Sequence, residues 1–245
     1  MGFLVRITMA SDVKKALNPG DVIGYFDMCA EEGTSLRRGM NFRLRGRKTV
    51  ILMSTRPGAP YKDRVEEDGK VLIYEGHDNP RPLNGRAPKE VDQEPRNPDG
   101  SLTQNGMFYN AAVAYKNGGS QPEVVRVYEK IKTGIWVYNG LFSLLDAWLE
   151  QLGGRKVFKF RLKLMEDDAT ISIERKDLEH TRLIPSFVKL EVWRRDAGKC
   201  VKCGSKDNLH FDHVIPYSRG GTSLDTKNIQ LLCARHNLEK RDRIE

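Results

Sequence analysis

Apolar and polar positions alternate along most of the first two thirds of the chain, and the alternation divides it into short strands. KTVILMS (48–54) and GKVLIYEG (69–76) are apolar runs of strand length. VVRVYEKI (124–131) alternates as a half-buried strand does. KVFKFRLKL (156–164) alternates cleanly, with Phe158, Phe160, Leu162 and Leu164 to one side and Lys159, Arg161 and Lys163 to the other. That basic side reads first as solvated strand surface and only secondarily as a phosphate contact. In LFSLLDAWLEQLGG (141–154) the pattern changes period: Leu141, Phe142, Leu145, Trp148, Leu149 and Leu152 recur at helical spacing, and Gly153-Gly154 offers a stop. A helix is expected there. A second is expected over PSFVKLEVWRRDAG (185–198), with Pro185 near its first turn and Gly198 just past its end.

Between these elements, residues 77–105 are rich in Pro, Gly and Asn and read as a long polar loop, of the kind that is usually functional or disordered. Residues 166–183 read as a polar connector. No internal repeat or heptad pattern is present. The plan is α+β: a β-rich domain over 1–165, a linker over 166–184, and a small module over 185–245.

Composition sharpens this. In 245 residues, 39% hydrophobic content supports a packed core, and no apolar run approaches a membrane span. The first residues are too short and too soon charged for a signal peptide, so a cytoplasmic location is the default expectation. Net charge is +8, and from Thr181 onward 13 Lys/Arg stand against 8 Asp/Glu. Such an excess attracts polyanions, nucleic acid above all, although charge alone is a weak argument.

The four cysteines carry more. Cys29 stands alone, while Cys200-x2-Cys203 is followed after 29 residues by Cys233-x2-His236. Two such knuckles can close a tetrahedral Zn²⁺ site that staples a module too small for a core of its own. A DNA-reading finger built on His210 and His213 fails on spacing. Between the knuckles, LHFDHVIPYSRGG (209–221) sets Asp212 and His213 inside a strand-like run, where a charged pair is costly unless something holds it. Asp212 and Asn237 offer oxygens to a hard cation such as Mg²⁺ or Mn²⁺. His213 is then a general base toward a phosphodiester, and Asn228 is placed to fix its orientation. Asn237 and Lys240, three apart on an expected helix, share one face.

CVKCG…LHFDHVIPYSRGGTSLDTKNIQLLCARHNLEK resembles the HNH (ββα-metal) endonucleases over nearly all of residues 185–245. The resemblance implies His213 as general base, Asp212 and Asn237 as ligands of the catalytic metal, Asn228 as positioner of the base, and structural zinc on Cys200, Cys203, Cys233 and His236. His236 stands where the family often has a fourth cysteine. A zinc-stapled binding module whose His213 merely hydrogen-bonds is the competing reading.

Upstream, VILMSTRPGAPYKDRVEEDGKVLIYEGHD, NGMFYNAAVAY, PEVVRVYEKI, IWVYNGLFSLLDAW and VFKFRLKL resemble, in that order, the SRA (YDG) domain over about residues 15 to 165. Tyr138-Asn139-Gly140 is an imperfect copy of its namesake motif. The resemblance implies a PUA-like curved β-barrel with flanking helices that flips a modified cytosine out of duplex DNA. Such a pocket needs aromatic faces and an acceptor for the exocyclic amine. Tyr61 and Tyr74 are the candidate faces, Asp63 the acceptor and Glu75 a possible second. Taken singly, each tyrosine reads first as barrel wall. Arg81 and Arg86 in the long loop, with Arg219 and Lys240 in the module, are the candidate DNA contacts. The combination implies a modification-dependent endonuclease acting on double-stranded DNA with 5-methylcytosine or 5-hydroxymethylcytosine, as a homodimer where both strands are cut. The alternatives are a non-catalytic reader of modified DNA, or a nuclease whose barrel reads unmodified nucleic acid.

Overall fold

The computed structural model describes residues 17–46, 48–67, 70–78, 87–165, 184–216, 219–241 and 243–244. The expected connector (166–183), Arg81 and Arg86 lie outside them. The barrel strands are β1 (Val22–Gly24), β2 (Met40–Leu44), β3 (Lys48–Met53), β4 (Arg64–Glu66), β5 (Val71–Glu75), β6 (Glu123–Lys132), β7 (Ile135–Leu152) and β8 (Arg155–Leu164). They form one sheet in the order β2-β3-β6-β7-β8-β5-β4, with β1 added against β7. β3 and β6 run parallel and the other pairs antiparallel.

The helix expected over 141–154 is instead the second half of β7. Its N-terminal part pairs with β6 and its C-terminal part with β8, so this one long strand turns the sheet's corner. Gly153 and Gly154, at φ 57° and 85°, are the two turn residues of the β7–β8 hairpin rather than a helix stop. The cleanly alternating β8 supplies a partner ladder, and that pairing overrides the helical spacing of the leucines. Leu149, assigned to the buried face of a helix, is half exposed. Gly140 marks the bend: φ is 102°, and a Cβ there would press on Pro19 beside a register shift in the β6–β7 ladder.

Two helices flank the barrel. α1 (Tyr25–Glu32) follows β1, and α2 (Gln104–Lys116) starts at Thr103, whose hydroxyl accepts the Gly106 N–H at 3.1 Å. α2 closes one side of the core through Phe108 and Ala112, which pack with Phe142, Phe158, Phe160 and Leu162.

The C-terminal module has α3 (Ser186–Arg195), as expected, then a two-stranded hairpin of β9 (Leu209–His213) and β10 (Ile229–Cys233), and α4 (Ala234–Lys240). It is set into the barrel rather than hung from it. Val188 and Val192 of α3, Phe211 of β9 and Leu231 of β10 share one apolar cluster with Ile131 of β6 and Val137 of β7. Lys189, 1% exposed, donates to Glu129 and to Asn139 Oδ1 (2.8 Å), and Asn139 donates to Glu129 at 3.0 Å. The asparagine of Tyr138-Asn139-Gly140 thus accepts a hydrogen bond from a lysine of the module, whose charge Glu129 balances. His210 Nδ1 meets the Asp21 carboxylate, and the Phe211 N–H donates to the Gly20 carbonyl at 3.2 Å. Gly20 in turn donates to Tyr138 of β7 at 2.8 Å.

Candidate functional site

The two knuckles converge. Cys200, Cys203, Cys233 and His236 present donor atoms that all lie within 4.8 Å of one another. Cys203 and Cys233 Sγ are 3.8 Å apart, and His236 Nδ1 lies 3.3 Å from Cys200 Sγ and 3.4 Å from Cys233 Sγ. Tetrahedral bonds of about 2.3 Å to sulfur and about 2.0 Å to nitrogen separate donors by about 3.5–3.8 Å, so the set fits zinc. His236 Nε2 faces the Glu239 carboxylate at 3.8 Å, an outer contact that orients the ring. Burial raises the Cys200 thiol, but N–H donors from Cys233, Cys203 and Lys202 outweigh it and bring the group down to about 6, favouring the thiolate a metal needs.

β9 ends in Asp212 and His213, 1% and 2% exposed, paired across the hairpin with Gln230 and Ile229. Asp212 Oδ2 takes Lys240 Nζ at 3.1 Å and Gln230 Nε2 at 3.3 Å, while Oδ1 is buried and has no hydrogen-bond partner. A buried carboxylate oxygen with no protein donor fits a hard cation such as Mg²⁺. Asn237, the other expected ligand, is half-buried on α4, which packs against β9.

Two expectations need correction here. Lys240 is not a DNA contact: its ammonium is 1% exposed and bonds the His213 carbonyl at 2.6 Å as well as Asp212, so it ties α4 to the end of β9. Asn228 acts on the loop, its side chain accepting from Ile215 N–H at 2.8 Å and donating to the carbonyls of Ile215 (3.1 Å) and Thr222 (3.0 Å). The group at His213 Nε2 is the Ser223 hydroxyl, 2.9 Å away. Asn228 therefore holds the segment that carries Ser223. The same loop explains Gly221, where any Cβ would collide with the Ile215 carbonyl. Arg219 is exposed on this loop, where a phosphate can reach it.

On the barrel, a cavity of about 790 Å³ opens beside Tyr61, Asp63 and His77. Asp63 accepts the N–H groups of Ser54 and Glu75, both at 3.0 Å. Tyr61 stacks on His77 with ring centroids 4.5 Å apart and planes 7° from parallel, and Lys89 Nζ sits 3.9 Å from the Tyr61 centroid. Tyr74 and Glu75 do not line the cavity. Tyr74 is a core residue whose hydroxyl reaches His77 Nε2 at 2.8 Å. Glu75 is consumed by Lys159 at 2.8 Å and by the Lys62 N–H at 3.1 Å. Lys159 is accordingly buried, not part of an exposed basic face. Arg161 pairs with Glu67 at 2.6 Å.

Burial pushes the Asp63 carboxyl up to about 7 against the pull of its two N–H donors. An acid whose folded pKa exceeds its unfolded value carries an extra proton in the folded state between the two. The stability it contributes therefore falls as pH climbs from about 4 to about 7. His77, lowered to about 4 chiefly by burial, acts in the opposite sense, its contribution falling as pH drops below the free-histidine range. Asp63→Asn removes the first slope and keeps the second. Relative to wild type, thermal melts of the variant should gain stability on going from about pH 5 to about pH 8. Identical pH profiles for the two proteins would mean that Asp63 is ionised throughout.

The HNH endonuclease family model matches residues 200–243, which take in both knuckles, the β9–β10 hairpin and α4. Residues 200–243 are an HNH endonuclease domain. None of the curated proteins matches the chain. Among solved structures, the chain is similar to the SRA domain of SUVH5 bound to fully hydroxymethylated CG DNA, at 24% identity and TM-score 0.43, over 64% of this chain and 95% of that one. It is similar also to the SUVH5 SRA domain with hemi-methylated CG DNA, at 24% identity and TM-score 0.43, over 65% and 96%. KRYPTONITE in complex with mCHH DNA, an H3(1-15) peptide and SAH is 18% identical at TM-score 0.42, over 66% of this chain and 34% of that one.

The HNH domain makes this chain a metal-dependent DNA-cleaving hydrolase. No helix among the described residues is long and apolar enough to cross a membrane. Sequence reading missed Ser223, Gln230 and His77. Ser223 had no signal of its own. His77 had one, a histidine at the mouth of a loop two residues after Glu75, but nothing in the sequence announced its stack on Tyr61.

Proposed function

We propose that the chain is a modification-dependent endonuclease whose barrel holds an extruded 5-methylcytosine or 5-hydroxymethylcytosine while its HNH domain hydrolyses a phosphodiester nearby. The observation that carries this reading is the barrel cavity itself, which offers an aromatic wall of Tyr61 and His77 beside the buried acceptor Asp63. Cytosine's exocyclic amine is a donor, and Asp63 is the one acid on the cavity wall among the described residues.

In the HNH domain, Asp212 Oδ1 and the Asn237 side chain would hold a divalent cation (Mg²⁺ or Mn²⁺), which would neutralise charge at the scissile phosphate. Lys240 and Gln230 hold Asp212 by its other oxygen, so that Oδ1 keeps one direction. His213 takes a proton from the attacking water as the water oxygen bonds phosphorus and the bond from phosphorus to the leaving oxygen breaks. The Ser223 hydroxyl can donate or accept, and so it orients the imidazole in either protonation state. Cys200, Cys203, Cys233 and His236 would hold a structural Zn²⁺. One such site cuts one strand, so a double-strand break takes two copies, as a homodimer on DNA.

Plasmids carrying 5-methylcytosine, 5-hydroxymethylcytosine or no modification, incubated with the protein and Mg²⁺ or Mn²⁺, test this. The modified plasmids should be cut at least about tenfold faster, the discrimination expected of a pocket contact or two. Equal rates on all three would remove the reader, and no cutting of any would remove the nuclease reading.

A further inference from the structure

The cavity extends well beyond the part that a base would fill. Besides Tyr61, Asp63 and His77 it is lined by Phe26 on the first turn of α1, by Arg37, Arg38 and Arg56, and by Lys130 and Trp136 at the β6–β7 end. Phe26 is 85% exposed, the most exposed of the large apolar side chains among the described residues. One exposed phenylalanine is ordinary by itself; what distinguishes Phe26 is its place in the lining of a cavity that also carries four basic side chains.

Its platform is stiff. β1 pairs with β7 through Val22–Val137 and Ile23–Trp136, and the Tyr25 N–H donates to the Gly134 carbonyl at 3.0 Å. The neighbouring Tyr25 packs inward, with its hydroxyl on the Leu36 carbonyl at 3.3 Å. Phe26 is therefore held out from the body on a fixed helix, not on a loose loop.

Charge identifies the partner. Arg43, Arg64, Arg126, Arg155 and Arg161 of the barrel are each paired with carboxylates. Arg37, Arg38, Arg56 and Lys130, around the cavity, form no ion pair among the described residues. Four uncompensated cations about an exposed aromatic ring suit a polyanion with flat apolar faces between its charges, which is duplex DNA.

We propose that Phe26 is an intercalating wedge, entering the base stack beside the extruded cytosine while Arg37, Arg38, Arg56 and Lys130 hold the flanking phosphates. This rests on the base-extrusion reading above. Extrusion leaves a gap and unstacks its neighbours, and an aromatic ring supplied from a rigid helix offsets that cost by restacking one of them.

The test uses duplexes in which 2-aminopurine neighbours a single 5-methylcytosine, with unmethylated controls, and full-length wild type, Phe26→Ala and Phe26→Trp. Because the side chain lies outside the core, the alanine variant should melt with wild type. Wild type should prefer the methylated duplex and change the 2-aminopurine fluorescence on binding. Phe26→Ala should lose most of that change and bind about tenfold more weakly, and Phe26→Trp should restore both. An alanine variant with wild-type affinity and signal would overturn the wedge while leaving base extrusion standing. A wild-type protein with no preference for the methylated duplex would overturn the extrusion reading, and the wedge with it.

Discussion

His213→Ala should lower DNA cleavage by roughly 10²–10⁴-fold, the usual contribution of a positioned general base, while leaving affinity for a modified duplex within about twofold. The structure says why the variant should remain folded. The packing of β9 onto β10 runs through backbone pairs, including His213 with Ile229, which alanine keeps. Lys240 is anchored on the main-chain carbonyl of residue 213, not on the ring, so the Asp212–Lys240 contact also survives. What disappears is the imidazole and its bond to Ser223. Cleavage on modified plasmid, binding to a modified oligonucleotide and a thermal melt, all on one preparation, check this. A variant that cuts within a few-fold of wild type would leave His213 a structural residue. Ser223→Ala should have a smaller effect in the same direction, because it loosens the ring without removing it.

Stripping the metal from the Cys3His set should unfold the HNH domain. Structural zinc of this kind contributes about 10–16 kcal/mol of apparent binding free energy near neutral pH, more than the whole stability of many domains. The expected results are about one zinc per chain by elemental analysis and loss of cleavage after treatment with a strong chelator. Cys200→Ser should give the same loss, because Cys200 is buried and lies against His236. Since Val188, Phe211 and Leu231 share their apolar cluster with Ile131 and Val137 of the barrel, the melting of the barrel should fall as well. A metal-free protein with unchanged melting and activity would show that the four side chains need no ion.

Much of this was legible because it is local. The knuckle spacing, the strand ending in Asp212-His213 and the helix after Pro185 are written within short windows, and the folded chain follows them. The failures are all non-local. The leucines of 141–152 have helical spacing, and only the pairing of that segment with both β6 and β8 makes it a strand. Lys240 looks like a surface cation until α4 folds back and buries it against Asp212. Tyr74 and Glu75 carry the right chemistry for a pocket, but Asp63 reaches the cavity from the loop before β4, whereas β5 turns Tyr74 to the core and Glu75 to Lys159. Asn228 was read as a partner of His213 from its place across the hairpin, yet its amide is taken up by the loop backbone.

The buried meeting of Lys189 with Glu129 and Asn139, together with the apolar seam around it, has a mechanical meaning. A blade on a cord sweeps a volume whose radius is the cord's length, and where it lands is a matter of chance and concentration. Here the handle and the blade are cast in one piece, so on the proposed function the step from a held nucleotide to the severed bond is a dimension of the fold. Lengthening the chain between the two parts would not move it.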